Sequence, residues 1–225
     1  MWTKLLSVLV TGYLFLRGTT PPNTPHMSRD AIEKEGTLLD GFVASGPTWC
    51  KAVYKAVIGA FVGTMVVQEL GLEGELSKFC PNPTRARLSS WSTADLVGFT
   101  CLVAGCLLRL WCYQTLGKYF TFHIAIREDH HIIRVGPYAL VRHPSYTGLF
   151  LMGVGAHLLL IVKLWQCMPA PIGSHSGTFL VVGLVVFFAG TGKRVQLEEA
   201  MMHAKFRTEW EDYARMTKLF VPFLL

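Results

Sequence analysis

The sequence predicts an all-α, polytopic integral membrane bundle of about five transmembrane helices, with loops and a C-terminal amphipathic helix at one end. Three observations predict it. The 225 residues are 51% hydrophobic and only 16% charged, where a soluble domain carries roughly 25% charged residues. Mean hydropathy is +0.37. The apolar residues gather in runs approaching the ~20 residues that a bilayer span needs, and the basic residues gather in loops beside them.

The runs fall at 2–17, 52–70, 94–116, 146–166 and 177–192. The first, Lys4 followed by Leu5 to Leu16, lacks a small-residue cleavage site behind it and reads as an uncleaved helix. The second carries Gly59 and Gly63 as a GxxxG pair. The third is the clearest, apolar except for Arg109, Gln114 and a few small polar residues. The fourth holds Gly148, Gly153 and Gly155, which allow close helix approach. The fifth is short and reads as a hairpin with the fourth across the loop 169–177. Residues 18–50 and 71–93 are loops rich in Pro, Gly, Ser and Thr. Past Gly192 the composition turns charged. There Phe206, Trp210, Tyr213 and Met216 or Thr217 recur at three- and four-residue spacing, which predicts an amphipathic tail helix ending at Pro222. One membrane domain fits this length: residues 1–93 carry no specific motif, and 94–225 carry all the motifs.

The net charge of +6 does not indicate nucleic-acid binding, because the basic residues form no stripe with interleaved aromatics. With five alternating spans, fifteen Lys and Arg fall on the side of 18–50, 117–145 and the tail, five fall on the other side, and Arg109 lies inside. The positive-inside rule makes the first side cytosolic. The six cysteines, Cys50, Cys80, Cys101, Cys106, Cys112 and Cys167, show neither CxxC pairs nor a disulfide-like framework and read as small hydrophobes. Among the histidines no HxxxH spacing occurs, so no metal site is expected.

Polar residues suited to catalysis converge on the cytosolic side. Pro144 suits the first turn of a helix, where its missing N–H costs nothing. It also pushes His143 toward extended backbone. Arg142 and His143 thereby stand at a helix N-terminus, whose free N–H groups and dipole favour an anion. Arg194 and Glu198 are four apart on one helix face. Taken singly, Arg134, Arg142 and Lys193 also read as positive-inside anchors, and Arg194–Glu198 as an exposed pair worth about 0.3–0.5 kcal/mol. His157, inside an apolar run, is either a functional group or a hydrogen-bonded core histidine.

Together the pieces form a pattern. Gly136-Pro137-Tyr138, then Arg142-His143-Pro144-Ser145-Tyr146-Thr147-Gly148, are followed about 50 residues later by Arg194-x-x-x-Glu198-Glu199 and by Pro222-Phe223. With Arg109-Leu-Trp111 and Leu116-Gly-Lys-Tyr-Phe120 ahead of them, these residues resemble the isoprenylcysteine carboxyl methyltransferase family. The resemblance runs from about residue 94 to residue 223.

It implies methyl esterification of a C-terminal prenylcysteine by S-adenosylmethionine, in the endoplasmic reticulum membrane, with the active site facing the cytosol. The implied partners are prenylated protein C-termini or small prenylcysteines, and membrane lipid. The implied cofactor contacts are His130, His131, Ile132 and Ile133, then Tyr138, then Arg142, His143, Pro144 and Ser145, and Glu198. His123 stands where the family often has Gln. Arg194 would meet the substrate carboxylate, with Arg142 and Glu198 completing the catalytic set. The chain departs from the family at Ala156-His157, where Thr-Gln is common, and at Phe206-Arg207, which lacks the usual following glycine. Three other readings share parts of the pattern: a phospholipid N-methyltransferase, a membrane sterol reductase and a non-catalytic membrane binding protein.

Overall fold

A computed structural model describes residues 1–20, 38–72, 74, 77, 80, 87–120, 130–169 and 175–220. Within them run helices α1 (Trp2–Gly18), α2 (Leu38–Glu69), α3 (Thr93–Leu116), α4 (Pro144–Cys167), α5 (Ser176–Phe206) and a short α6 (Thr208–Met216). Among the described residues, β pairing is confined to one isolated bridge between Val141 and Lys218. The chain is an all-α integral membrane protein.

Among the described residues four spans, Cys50–Glu69, Thr93–Tyr119, Pro144–Cys167 and Ser176–Phe206, are long and apolar enough to cross a membrane. The first expected span falls short: α1 has 17 residues, about 25 Å at 1.5 Å per residue, against a hydrocarbon core of about 30 Å. A second correction concerns the tail. The helix expected to end near Gly192 runs unbroken to Phe206. The break comes at Arg207, whose left-handed φ of 45° turns the chain into α6. Only α6 is the amphipathic piece, with Trp210 and Tyr213 buried against Ile132. Within α4 a π turn spans His157–Ile161.

The bundle centres on α3 against α4. Glycines seven apart on each helix, Gly98 and Gly105 facing Gly148 and Gly155, bring the two backbones into contact. A Cβ at Gly155 would lie 2.5 Å from the Leu102 amide nitrogen and 2.7 Å from the Gly98 carbonyl. Gly59 and Gly63, the GxxxG of the sequence, meet nothing within 4 Å, and neither does Gly153. Gly155→Val is therefore expected to separate α3 from α4 and destabilise the fold by roughly 1–3 kcal/mol or more, while Gly63→Val is tolerated. Thermal unfolding in detergent distinguishes the two.

The end of the bundle away from the motifs is tied by charge. Ser92 and Asp95 form a capping box at the start of α3. The Asp95 carboxylate also pairs with Lys4 of α1 at 2.8 Å and with Lys163 of α4 at 3.4 Å, and Lys4 and Asp95 are both fully buried. Lys4 is thus a partner inside the bundle and not a headgroup anchor. At the same end Cys80 and Cys167 form a disulfide. This corrects the reading of all six cysteines as hydrophobes. The pairing depends on which helix ends lie side by side, which Cys spacing does not reveal. Cys50, Cys101, Cys106 and Cys112 are free thiols.

Candidate active site

At the opposite end the two halves of the motif meet. Gly136 takes a left-handed φ of 60°, and a Cβ there would sit 3.1 Å from Thr115 Oγ1 and 3.3 Å from Trp111 Nε1. This turn delivers Pro137 and Tyr138 into buried positions against α3. The chain then enters α4 with His143 as its N-cap and Pro144 in the first turn, as expected.

Arg142 is a clamp. Its Nε donates to Glu199 Oε1 at 2.7 Å, and its Nη1 donates to the carbonyls of Ala214 at 2.9 Å and Thr217 at 2.7 Å. The main chain repeats the grip: the Arg142 and His143 amides donate to the carbonyls of Lys218 and Leu219. Thr147 Oγ1 donates to the Phe220 carbonyl at 2.7 Å. The segment after α6 is thus strapped across the start of α4.

His143, 8% exposed, bridges both carboxylates of α5, with Nε2 at 3.2 Å from Glu199 Oε1 and Nδ1 at 3.6 Å from Glu198 Oε2. Glu198 Oε1 accepts from Tyr146 Oη at 2.7 Å and from Arg194 Nε at 2.9 Å. Arg142, His143, Tyr146, Arg194, Glu198 and Glu199 therefore form one network. Such charge-assisted bonds are the strong ones, and here they join residues about 50 positions apart in the chain.

The remaining candidates line the approach to it. His130 and His131 pack against Tyr119, with ring centroids at 4.7 Å and 5.1 Å, and His130 faces Phe206 at 6.0 Å. Ile132 is buried with Trp210, Tyr213, Met202 and Phe206, and Ile133 is half-buried beside it. Arg134 donates to Glu209. Tyr138 is held through its carbonyl, which accepts from Tyr213 Oη at 2.8 Å. Burial raises the Tyr138 phenol well above its ordinary range, and the nearby Cys112 and Glu198 add to this. Burial likewise pushes the Tyr213 phenol up to about 12, so it remains a neutral donor. His123 lies outside the described residues.

Tyr146, Glu199 and Arg109 belong to this end of the molecule although the sequence reading assigned them no site role. For Tyr146 a signal existed: it stands three residues after His143, on the same side of the helix. Below the network, the α4 stripe Leu149, Phe150, Gly153, Val154 and His157 faces Phe187 and its neighbours on α5 across a cavity of about 240 Å³. Its α4 wall begins one turn from Tyr146 and its α5 wall ends two turns from Arg194, so this apolar pocket lies next below the polar network along both helices. His157 lines the pocket, which gives it a place between α4 and α5. Among the described residues, no group of three or more His, Cys, Asp or Glu is arranged to hold a metal.

Comparison with known proteins places the chain beside named relatives. The model of the isoprenylcysteine carboxyl methyltransferase (ICMT) family matches residues 96–204, from α3 through nearly all of α5. The chain is 33% identical over 129 residues to protein-S-isoprenylcysteine O-methyltransferase B of Arabidopsis thaliana, covering 56% of this chain and 58% of the relative. It is 31% identical over 139 residues to a probable protein-S-isoprenylcysteine O-methyltransferase of Oryza sativa subsp. indica, covering 61% and 65%. The Saccharomyces cerevisiae enzyme of the same name is 28% identical over 133 residues, with 55% and 50% covered. The matches thus span less than two thirds of these relatives' own length. The Arg142–Tyr146 and Arg194–Glu199 network lies wholly within the stretch that matches the model of the isoprenylcysteine carboxyl methyltransferase family.

Proposed function

We propose that this protein transfers a methyl group from S-adenosylmethionine to the C-terminal carboxylate of a prenylated cysteine, at the cytosolic face of the endoplasmic reticulum membrane. The observation that carries the reading is the joint position of two features. A network of two carboxylates, two arginines, a histidine and a tyrosine closes one end of the bundle, and an apolar pocket between α4 and α5 lies one to two turns below it, which we read as a channel for a hydrocarbon tail. A substrate with a charged head and a long hydrocarbon tail suits both.

The residues fit the cofactor's chemistry. The N-terminus of α4, with His143 and the amides of its first turn, suits the cofactor carboxylate. Glu198 suits its ammonium or its hydroxyls, and the segment 130–133 with Tyr138 supplies apolar and aromatic walls. When bound, S-adenosylmethionine supplies an electrophilic methyl on a positively charged sulfur.

The chain's own residues then have a limited task. The substrate carboxylate is already ionised near pH 7, so no proton has to leave. Arg194 holds that carboxylate and aims one oxygen, the channel seats the prenyl chain, and the strap over α4 excludes water. Proximity and orientation of this kind contribute about 7–11 kcal/mol to such reactions. Phospholipid N-methylation, by contrast, needs a base to free the amine. Glu198 and Glu199 are already engaged as acceptors by Arg194, Tyr146, Arg142 and His143, which favours the ester reading.

The disulfide supports the orientation. Cys80 lies in the 71–93 connection and Cys167 ends α4, both on the less basic side, and disulfides persist in oxidising compartments. In sealed microsomes a membrane-impermeant maleimide should label His131→Cys, whose position is exposed, from the cytosolic side. Labelling from the lumenal side only would reverse the topology. For the function itself, purified protein should methylate a farnesylcysteine analogue and leave cysteine without the prenyl chain unmodified. Equal methylation of both would remove the channel from the reading.

A further inference from the structure

We propose that Arg109 is a positioning residue for the cofactor site, and that through it α1, which lies outside the matched region 96–204, is a working part of that site. This rests on the reading that the first turn of α4 receives S-adenosylmethionine. Arg109 sits in α3 and is 3% exposed. Its Nε donates to the Gly18 carbonyl in the last turn of α1 at 2.7 Å. Its Nη1 donates to both the carbonyl and Oγ of Ser145, each at 3.0 Å. Its Nη2 donates to Tyr113 Oη at 2.9 Å, and Tyr113 Oη in turn donates to the Gly18 carbonyl.

One planar fork therefore fixes the end of α1 and the start of α4 relative to each other. The stem of the side chain completes the seat: a Cβ at Gly148 would lie 2.8 Å from Arg109 Cγ, so the first turn of α4 rests on it. Ser145 lies between His143 and Tyr146, the residues that reach Glu198 and Glu199. A shift of Ser145 moves both.

Charge points the same way. Among the described residues no carboxylate pairs with Arg109, and its acceptors are neutral oxygens. The negative end of the α1 dipole stabilises the cation from one side. On the other side its positive charge adds to the field at the α4 N-terminus, where an anionic group is favoured. Lysine in the same place keeps a charge and loses the fork that joins Gly18 to Ser145.

The test measures S-adenosylmethionine affinity by calorimetry on detergent-purified full chain, with the KM for farnesylcysteine measured separately. Arg109→Gln is expected to weaken cofactor binding about tenfold or more, about 1.4 kcal/mol, with farnesylcysteine KM little changed. Arg109→Lys should fall between Gln and wild type. A merely structural role would lower the folded yield and Tm while the folded fraction kept wild-type cofactor affinity, and that result would overturn the proposal. Should Arg109→Gln not fold, Tyr113→Phe decides: it removes only the hydroxyl between Arg109 and Gly18, and unchanged affinity in it overturns the proposal. Glu198→Ala runs beside them. If it weakens binding and the Arg109 and Tyr113 variants do not, Arg109 alone is misassigned. If it too leaves affinity unchanged, the fault lies in the cofactor site.

Discussion

Replacing Arg194 with lysine is expected to lower the turnover of a prenylcysteine substrate by tenfold or more while S-adenosylmethionine affinity stays near wild type. Lysine preserves the charge, so an ordinary surface cation or lipid anchor would tolerate the change. A carboxylate clamp would not. Arginine presents a planar fork able to hold both oxygens of the substrate, whereas lysine offers a flexible point charge. A misplacement of about 1 Å between reacting atoms costs on the order of 100-fold in rate. The structure adds a reason for the cofactor site to survive. Glu198 is held by Tyr146 at 2.7 Å and faces His143 as well as Arg194, so it keeps two of its three neighbours. Single-turnover kinetics on the purified variant, with cofactor affinity measured apart, separate the two effects. Near-wild-type turnover would return Arg194 to the positive-inside residues.

The second large effect concerns the carboxylate and imidazole on which the cofactor site depends. Glu198→Ala and His143→Ala are each expected to weaken S-adenosylmethionine binding at least tenfold, about 1.4 kcal/mol, without unfolding the protein. Both lie at the closed end of the bundle, away from the Gly98–Gly155 contact of α3 and α4 and from the Lys4–Asp95–Lys163 tie. Loss of Glu198 leaves the Arg142–Glu199 pair in place. Loss of His143 removes the only side chain that bridges both glutamates among the described residues. Binding isotherms and Tm for both variants check the expectation. Unchanged affinity in both would dissolve the proposed site.

Much of this architecture was legible in the chain, for identifiable reasons. The apolar run 94–116 became α3 at Thr93–Leu116 because Ser92 and Asp95 cap it and Gly117 ends it with a left-handed φ. Pro144 announced the start of α4 and produced it. The end of α5 misled the reading because a change from apolar to charged residues marks where a helix leaves the membrane, not where its hydrogen-bond ladder stops. Nothing in that ladder fails until Arg207. The GxxxG at Gly59 and Gly63 drew notice for its spacing, while the contact that matters uses glycines seven apart.

The site was legible in a different way. That Arg142-His143-Pro144 and Arg194-x-x-x-Glu198-Glu199 act together came from family resemblance; only the fold shows that they touch. Arg109 gave little sign of its partners, because two of its four acceptors are backbone carbonyls, which any residue type can supply. The disulfide between Cys80 and Cys167 was hidden for a similar reason, since it follows from which helix ends are neighbours.

If this network esterifies a carboxylate, the nature of the bond formed reveals it. Purified protein is given S-adenosylmethionine labelled in its methyl group, together with a farnesylcysteine analogue and phosphatidylethanolamine in the same bilayer. The label should appear on the farnesylcysteine in a form that mild base releases as methanol, as a methyl ester must. Label that resists base and resides on phosphatidylethanolamine would contradict the account and assign the site to amine methylation.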